Sequence, residues 1–375
     1  MTRTIVDISI LQTVPPSNIN RDDTGSPKTA NYGGTRRARV SSQAWKRATR
    51  LLFDDVLDKS DLGVRTKRVV ELLGDRIREL QPEIDTARAQ ELAELAFAAA
   101  RVKLTEPRGS TKDEPLPKES GYLLFLSSRQ LDQVASLCVE ADASDDPKAH
   151  LKAGDVKKAF DTAHSVDLAL FGRMVAEATD LNVDAACQVA HAISVHAVDN
   201  EFDYFTAVDD HKAADDEEDA GAGMIGTVEF NASTLYRYAT IDVDALQRNL
   251  GDAEGTRRAV EAFVKSFVTS MPTGKQNTFA NRTLPDGVVI SVRSTQPVNL
   301  VGAYEEAIVD PQRLKLASTR LAAHAKQIDA AFGTTPDATW VVRVGDATEE
   351  LDALGPRASL SDAIEQLGAT VSERL

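Results

Sequence analysis

From Thr4 to Val14 apolar and polar residues alternate with a period of two, Val6, Ile8 and Ile10 on one face and Asp7 and Ser9 on the other. That pattern predicts a strand ending at Pro15-Pro16. Ser17 to Arg39 is rich in Asn, Asp, Gly, Ser and Pro and reads as a long loop. Ser41 or Ser42 is then a candidate N-cap for a helix running to about Val56. Apolar residues at three- and four-residue spacing, such as Val69, Leu72, Leu73, Ile77 and Leu80, predict helix within Leu62 to Lys103. Thr105 to Gly121, with three prolines and much charge, is a surface linker. Tyr122 to Glu140, Lys148 to His164 and Asp184 to Val198 again read as helices. The acidic, small-residue stretch His211 to Gly226 reads as mobile. Beyond it, Thr227 to Val243 is a strand with Tyr236 and Tyr238 on one face, and Glu254 to Ser270 is a helix. Val288 to Val292 and Trp340 to Val344 are short strands, and Ser361 to Leu367 is a helix ended by Gly368. Interleaved signals without a serial βαβ repeat indicate an α+β sheet domain interrupted by a helical insertion.

At 375 residues the chain has length for two or three domains, or one with a large insertion. No run of 18 apolar residues argues for a membrane span, and the N-terminus lacks the pattern of an export signal. Two cysteines, Cys138 and Cys187, are too few for a disulfide framework, so the cytoplasm is the expected compartment.

The net charge of −15 argues against a nucleic-acid partner until its distribution is considered. Met1 to Arg50 holds nine basic and three acidic residues, a net of +6, which leaves −21 for the rest. Such asymmetry suggests a discrete polyanion-binding face on an acidic body. On the helix opened by Ser41 or Ser42, Gln43, Lys46, Arg47 and Arg50 form one stripe, opposite Trp45, Ala48 and Leu52. Cations near a helix N-terminus oppose the macrodipole, whereas an anion there is favoured. The stripe is either a solvated face or, with Arg36, Arg37 and Arg39 upstream, a grip on a nucleic-acid backbone.

These residues also carry a resemblance. Asn20-Arg21-Asp22-Asp23 and Tyr32-Gly33-Gly34-Thr35-Arg36-Arg37-Ala38-Arg39-Val40-Ser41-Ser42-Gln43-Ala44-Trp45-Lys46-Arg47-Ala48 resemble the N-terminal signature of the CasC family, the repeated backbone subunit of the type I-E CRISPR complex Cascade. The likeness continues in His191-Ala192-Ile193-Ser194, Tyr204-Phe205-Thr206-Ala207-Val208-Asp209-Asp210, Gly226-Thr227-Val228-Glu229-Phe230, Tyr236-Arg237-Tyr238-Ala239 and Gly274-Lys275-Gln276. Residues 301–375 carry no such signature. The resemblance implies an RNA-recognition-motif-like (ferredoxin-like) palm in two parts, 1–56 and 227–375, with helical fingers at 57–199 and a thumb hairpin at 200–226.

It further implies that copies pack along one guide RNA (crRNA), each thumb turning out one nucleotide, so that the guide can pair with target DNA among other Cascade subunits. By the same resemblance the RNA-binding residues are Asn20, Arg21, Lys28, Arg37, Arg39, Ser41, Gln43, Lys46, Arg47 and Lys275, with Met174, Tyr204 and Phe205 at the turned-out base. The resemblance also implies that Lys148, Lys152, Lys157 and Lys158 face target DNA. On composition alone, Tyr204-Phe205 is either a small local core or a stacking platform, and Met174 is core filling.

Gly221-Ala222-Gly223-Met224-Ile225-Gly226 matches a dinucleotide fingerprint literally but precedes a strand instead of following one. His191 and His196, five residues apart on a predicted helix, do not share a metal, and no cofactor is expected. Asp22-Asp23 could hold a metal for phosphoryl chemistry, but no further carboxylate cluster declares itself beside it. The expectation is therefore a non-catalytic guide-RNA-binding subunit of a ribonucleoprotein in antiviral defence, with a ribonuclease using Asp22 and Asp23 as alternative and a plain oligomeric scaffold as a third reading.

Overall fold

The computed structural model describes residues 3–111, 116–175, 179–207 and 224–375. The chain folds into two compact units. One, made of 1–51, 189–240 and 263–367, is built on a sheet; the other, made of 52–188, 241–262 and 368–375, is mainly helical.

The sheet unit contains β1 (Ile5–Ser17), β2 (Thr29–Tyr32), β3 (Thr35–Val40), α1 (Ser42–Leu52), β4 (Ala192–Ser194), β5 (Glu201–Ala207), β6 (Met224–Asp242), β7 (Gly287–Arg293) and β8 (Ala338–Arg343). Its main path runs β8-β7-β1-β6-β4-β3-β2, and β5 and Cys187–Val189 also pair with β6. The β1/β7, β7/β8, β6/β4, β4/β3, β3/β2 and β5/β6 ladders are antiparallel.

Both faces of the sheet are covered. Leu11, Tyr236, Tyr238, Val289 and Val341 pack with Leu300, Tyr304 and the helix Arg313–Phe332. The residues after 300, which carry no signature, thus supply the cover of one face and the edge strand β8. On β6, Arg237 alternates with those tyrosines and lies between the rings of Trp45 on α1, 3.6 Å from its centroid, and Phe267. The polar positions of β1 are inside too. The Asp7 carboxylate accepts from Tyr238 Oη, Arg293 Nε and Val298 N at 2.7, 3.1 and 3.0 Å, and Ser9 Oγ lies 3.1 Å from Tyr236 Oη. Alternation that reads as a half-exposed strand is instead a strand buried on both sides with its polar groups satisfied.

Several expectations change. β1 runs through Pro15 and Pro16 to Ser17; both prolines lie beyond the β1/β7 ladder, which ends at Leu11, so that ladder loses no donor to them. The predicted loop Ser17 to Arg39 contains the β2–β3 hairpin, with Tyr32 opposite Thr35 and positive φ at Gly33 and Gly34, as a two-residue turn of the primed kind requires. The first helix gives way to a 3-10 turn at Phe53–Asp55. Asp184 to Val198 is not helical: it forms Cys187–Val189 and β4, where Ile193 pairs with both Arg39 and Tyr236. The last helix is Leu360–Ser372. It passes through Gly368, where a Cβ would sit 1.8 Å from Glu261 Oε1, so this glycine permits close packing and does not end the helix.

In the helical unit Val69–Leu80, Thr86–Ala99 and Ser128–Asp142 enclose a core including Leu73, Ile77, Phe97, Val134 and Cys138. Strand Gly63–Thr66, read as helix from sequence, pairs with Leu124–Ser127. The linker's ends pair as Leu104–Thr105 with Glu119–Ser120, and 112–115 lie outside the described residues.

Two histidines inside the units set a pH expectation. Burial, then the Arg173 charge, pushes His164 down to about 4, and burial is also the first cause of the lowering at His196. Because the unfolded chain takes up these protons near pH 6.5 while the folded chain does not, stability should be full above that pH and fall as pH drops from about 6.5 toward 4. Thermal melts across this range check it, and His164→Asn, which keeps an acceptor for Gln130 Nε2, should flatten the fall.

Candidate nucleic-acid interface

The loop after β1 is folded on its own polar groups. Asp22 Oδ1 accepts from Thr24 N, Thr24 Oγ1 and Ser26 N at 2.9, 2.7 and 3.0 Å. The Thr24 hydroxyl, first among these causes, holds the carboxyl below its ordinary value. Asp22 therefore orders the loop through its hydrogen bonds with Thr24 and Ser26. Among the described residues no three His, Cys, Asp or Glu side chains gather as a metal site.

Asn20 joins this loop to α1. Its Oδ1 accepts from Ser41 N at 2.8 Å and its carbonyl accepts from Lys28 N at 2.9 Å. Ser41, buried, caps α1 by accepting at Oγ from Ala44 N, 3.3 Å. Asn20 and Ser41 thus set the angle between loop and helix. Trp45 and Thr49 are the buried residues of α1, which leaves Gln43 and Arg47 exposed and Lys46 and Arg50 half-buried. Exposed Arg21 and half-buried Lys28 and Arg39 lie on the adjoining loop and strand. Arg39 Nη1 donates to His191 Nδ1 at 3.0 Å, and His191 is held below its ordinary pKa by burial, then by Arg39 and Lys28.

Arg37 is a correction. Its side chain is fully buried, donating from Nε to Thr35 Oγ1 at 2.7 Å, from Nη1 to Ser194 O at 2.9 Å, and from Nη2 to Tyr304 O and Glu305 O, each at 3.0 Å. Tyr32 Oη donates to Val301 O, and a Cβ on Gly33 would lie 1.6 Å from Glu305 O. Tyr32, Gly33 and Arg37 therefore dock the hairpin on residues 301–305, and Arg37 has no face for a phosphate.

Lys275 follows Gly274, whose Cβ would lie 2.4 Å from Ile19 O. Glycine alone lets this segment close against the loop, and together they line a shallow groove from Ile19 to Gly25. Lys275 is half-buried with a left-handed φ of 49°.

On the hairpin, β5 pairs with β6 from Glu201↔Phe230 to Ala207↔Met224, and residues 208–223 lie outside the described residues. Tyr204 is 63% exposed and Phe205 36%. Adjacent strand residues point to opposite faces, so the two do not form one platform. Phe205 lies across Gly226, where a Cβ would meet its ring at 2.4 Å. Tyr204 instead shares its face with Phe202, 66% exposed, a residue outside the motif; the i, i+2 spacing is the sequence signal that points to it.

In the helical unit Met174 is 87% exposed and follows the helix Val166–Phe171 without belonging to it. Its neighbours are fixed. Arg173 donates to Leu181 O, Phe125 O and Phe160 O at 2.6, 3.0 and 2.9 Å, burial pushing its pKa down to about 10, and Val175 N donates to Asn182 Oδ1 at 2.6 Å. An apolar side chain is thus held out from an anchored backbone, which is not core filling. Lys148 lies in Pro147–His150, Lys152 precedes Ala153–Phe160, and Lys157 and Lys158 occupy its last turn, where cations suit the helix dipole.

Residues 6–366 match the model of a family described as CT1975-like protein. The chain is 35% identical to a chain of a "CRISPR RNA-guided surveillance complex, pre-nicking", covering 99% of this chain and 100% of that one with a TM-score of 0.83. It is 31% identical to a chain of a "CRISPR RNA-guided surveillance complex", covering 98% and 99% with a TM-score of 0.73. No curated protein matches. With the family model spanning nearly the whole sequence and these likenesses running end to end, the chain belongs to the CT1975-like protein family.

Proposed function

We propose that the chain is a non-catalytic backbone subunit of a Cascade-type CRISPR surveillance complex, of type I-E by its motifs. Copies of it line a guide RNA, hold it by its phosphates and present its bases to target DNA beside other Cascade subunits. The observation that carries this is the joint at Asn20–Ser41, which gathers Arg21, Lys28, Arg39, Lys46 and Arg47 on a loop, a strand and a helix fixed to one another. Both relatives named above belong to RNA-guided complexes. Such a surface grips backbone and leaves sequence to base pairing.

The order β7-β1-β6-β4, with α1 after β1 and Ala253–Thr269 after β6, supports an RNA-recognition-motif-like reading of the palm. In this reading the helical unit is the fingers and Asn200 to Gly226 the thumb. Tyr236 and Tyr238, on the face where such a motif stacks bases, are under the helix Arg313–Phe332, which favours RNA binding at the loop, helix and hairpin. Asp22, spent on its own loop, supports a structural duty over a nuclease.

Single-stranded RNA affinity should fall with log salt at a slope of about −0.7 per phosphate met, and Lys46→Ala and Arg47→Ala should each flatten it by roughly one contact. Filter binding from low to physiological salt measures this; unchanged slopes in both variants would overturn the backbone grip. Sizing with and without RNA tests assembly. Incubation with labelled RNA and Mg²⁺ or Mn²⁺, alongside Asp22→Ala, tests the nuclease alternative, which metal-dependent cleavage lost in the variant would establish.

A further inference from the structure

Glu229 stands on β6 directly opposite Phe202 of β5, at the base of the hairpin, and its carboxylate is shared between two elements. Oε1 accepts from Ser26 Oγ of the basic loop at 2.8 Å, and Oε2 accepts from Asn200 Nδ2, just before β5, at 2.9 Å. Two further amides complete the tie. Asn18 Nδ2 donates to both Gly25 O and Glu229 O, at 2.9 and 2.8 Å, and Asn231 Nδ2 donates to Asn200 Oδ1 at 3.2 Å. Asn18 and Asn231 are buried, and Ser26, Asn200 and Glu229 half-buried, so these bonds are partly screened from water. Ser26 belongs to the loop that carries Arg21 and Lys28, where a carboxylate disfavours an anion by its charge. Its placement makes sense as a mechanical link.

We propose that Glu229 is a positioning residue that couples the basic loop to the hairpin, so that gripping the backbone and stacking bases on Tyr204 and Phe202 are one cooperative event. This rests on the RNA-binding reading above. The physical path is a contiguous set of hydrogen bonds between two elements, the kind of network through which coupling is carried.

The first test needs no RNA. Amide hydrogen exchange on the free chain should rise about tenfold in both 20–28 and 201–206 in Glu229→Ala. It should rise in 20–28 alone in Ser26→Ala, which cuts one side of the link and leaves the strand pairing intact. The second test is a cycle on RNA affinity with Arg21→Ala and Tyr204→Ala. The two should be non-additive by about fivefold or more in the otherwise unaltered chain and additive in the Glu229→Ala background. Exchange in 20–28 that is unchanged by Glu229→Ala, or additivity in the unaltered chain, overturns the coupling. A chain that binds no RNA overturns the functional reading instead, and the exchange result then still decides whether Glu229 ties loop to hairpin.

Discussion

Arg37→Ala should destabilise the protein by about 3 kcal/mol or more, while Arg36→Ala, one residue away, should stay within about 0.5 kcal/mol of the original chain. The contrast follows from the strand. Arg36 is exposed and Arg37 fully buried, because neighbours on β3 face opposite ways. Removing the Arg37 guanidinium takes the donor from the buried carbonyls of Ser194 and Tyr304 and from the partly buried one of Glu305, and each buried acceptor left alone costs roughly 1–3 kcal/mol before relaxation. The hairpin tip also loses one of its anchors on 301–305, keeping the Tyr32 hydroxyl on Val301 O. Denaturant unfolding at fixed pH measures both variants. A stable Arg37→Ala with a flattened salt slope on RNA would show instead that this guanidinium reaches a phosphate.

The same pair shows how far the sequence can be read. Charge asymmetry locates a basic region, and the helical stripe identifies Lys46 and Arg47, because both signals are local in the chain. Which of Arg36, Arg37 and Arg39 remains available depends on whether the segment is loop or strand. The Gly33-Gly34 turn that makes it strand is hidden within a composition that reads as loop. Glu305 O, which excludes any side chain at Gly33, lies 272 residues further on, beyond the reach of any pattern argument. Long strands are legible where alternation and β-branched residues coincide, as in β1 and β6. β4 is not: its three residues are held by pairing to strands on both sides, which outweighs local propensity. Residues 301–375, silent as motif, become intelligible through what they touch: they cover Tyr236 and Tyr238, add the edge strand β8 and dock the β2–β3 hairpin. That cover leaves side chains around the sheet, and not this face, open to a partner.

The hairpin aromatics should divide by face. Phe202→Ala with Tyr204→Ala should weaken binding to single-stranded RNA by roughly 1–3 kcal/mol per stacked base. The salt slope should not change, because no cation is removed. Along a strand, i and i+2 are separated by about 6.6 Å, close to twice the roughly 3.4 Å spacing of stacked bases, a spacing that suits one turned-out base between two side chains. Phe205→Ala should act differently. Its ring lies across Gly226, so its loss should loosen the β5/β6 pairing and reduce binding only as far as the hairpin frays. Affinity at two salt concentrations, together with hydrogen exchange over 201–206, separates these outcomes. If Phe205→Ala matched the double variant in affinity loss while exchange stayed unchanged, the stacking face would be the one that carries Phe205, and the pairing of Phe202 with Tyr204 would be refuted.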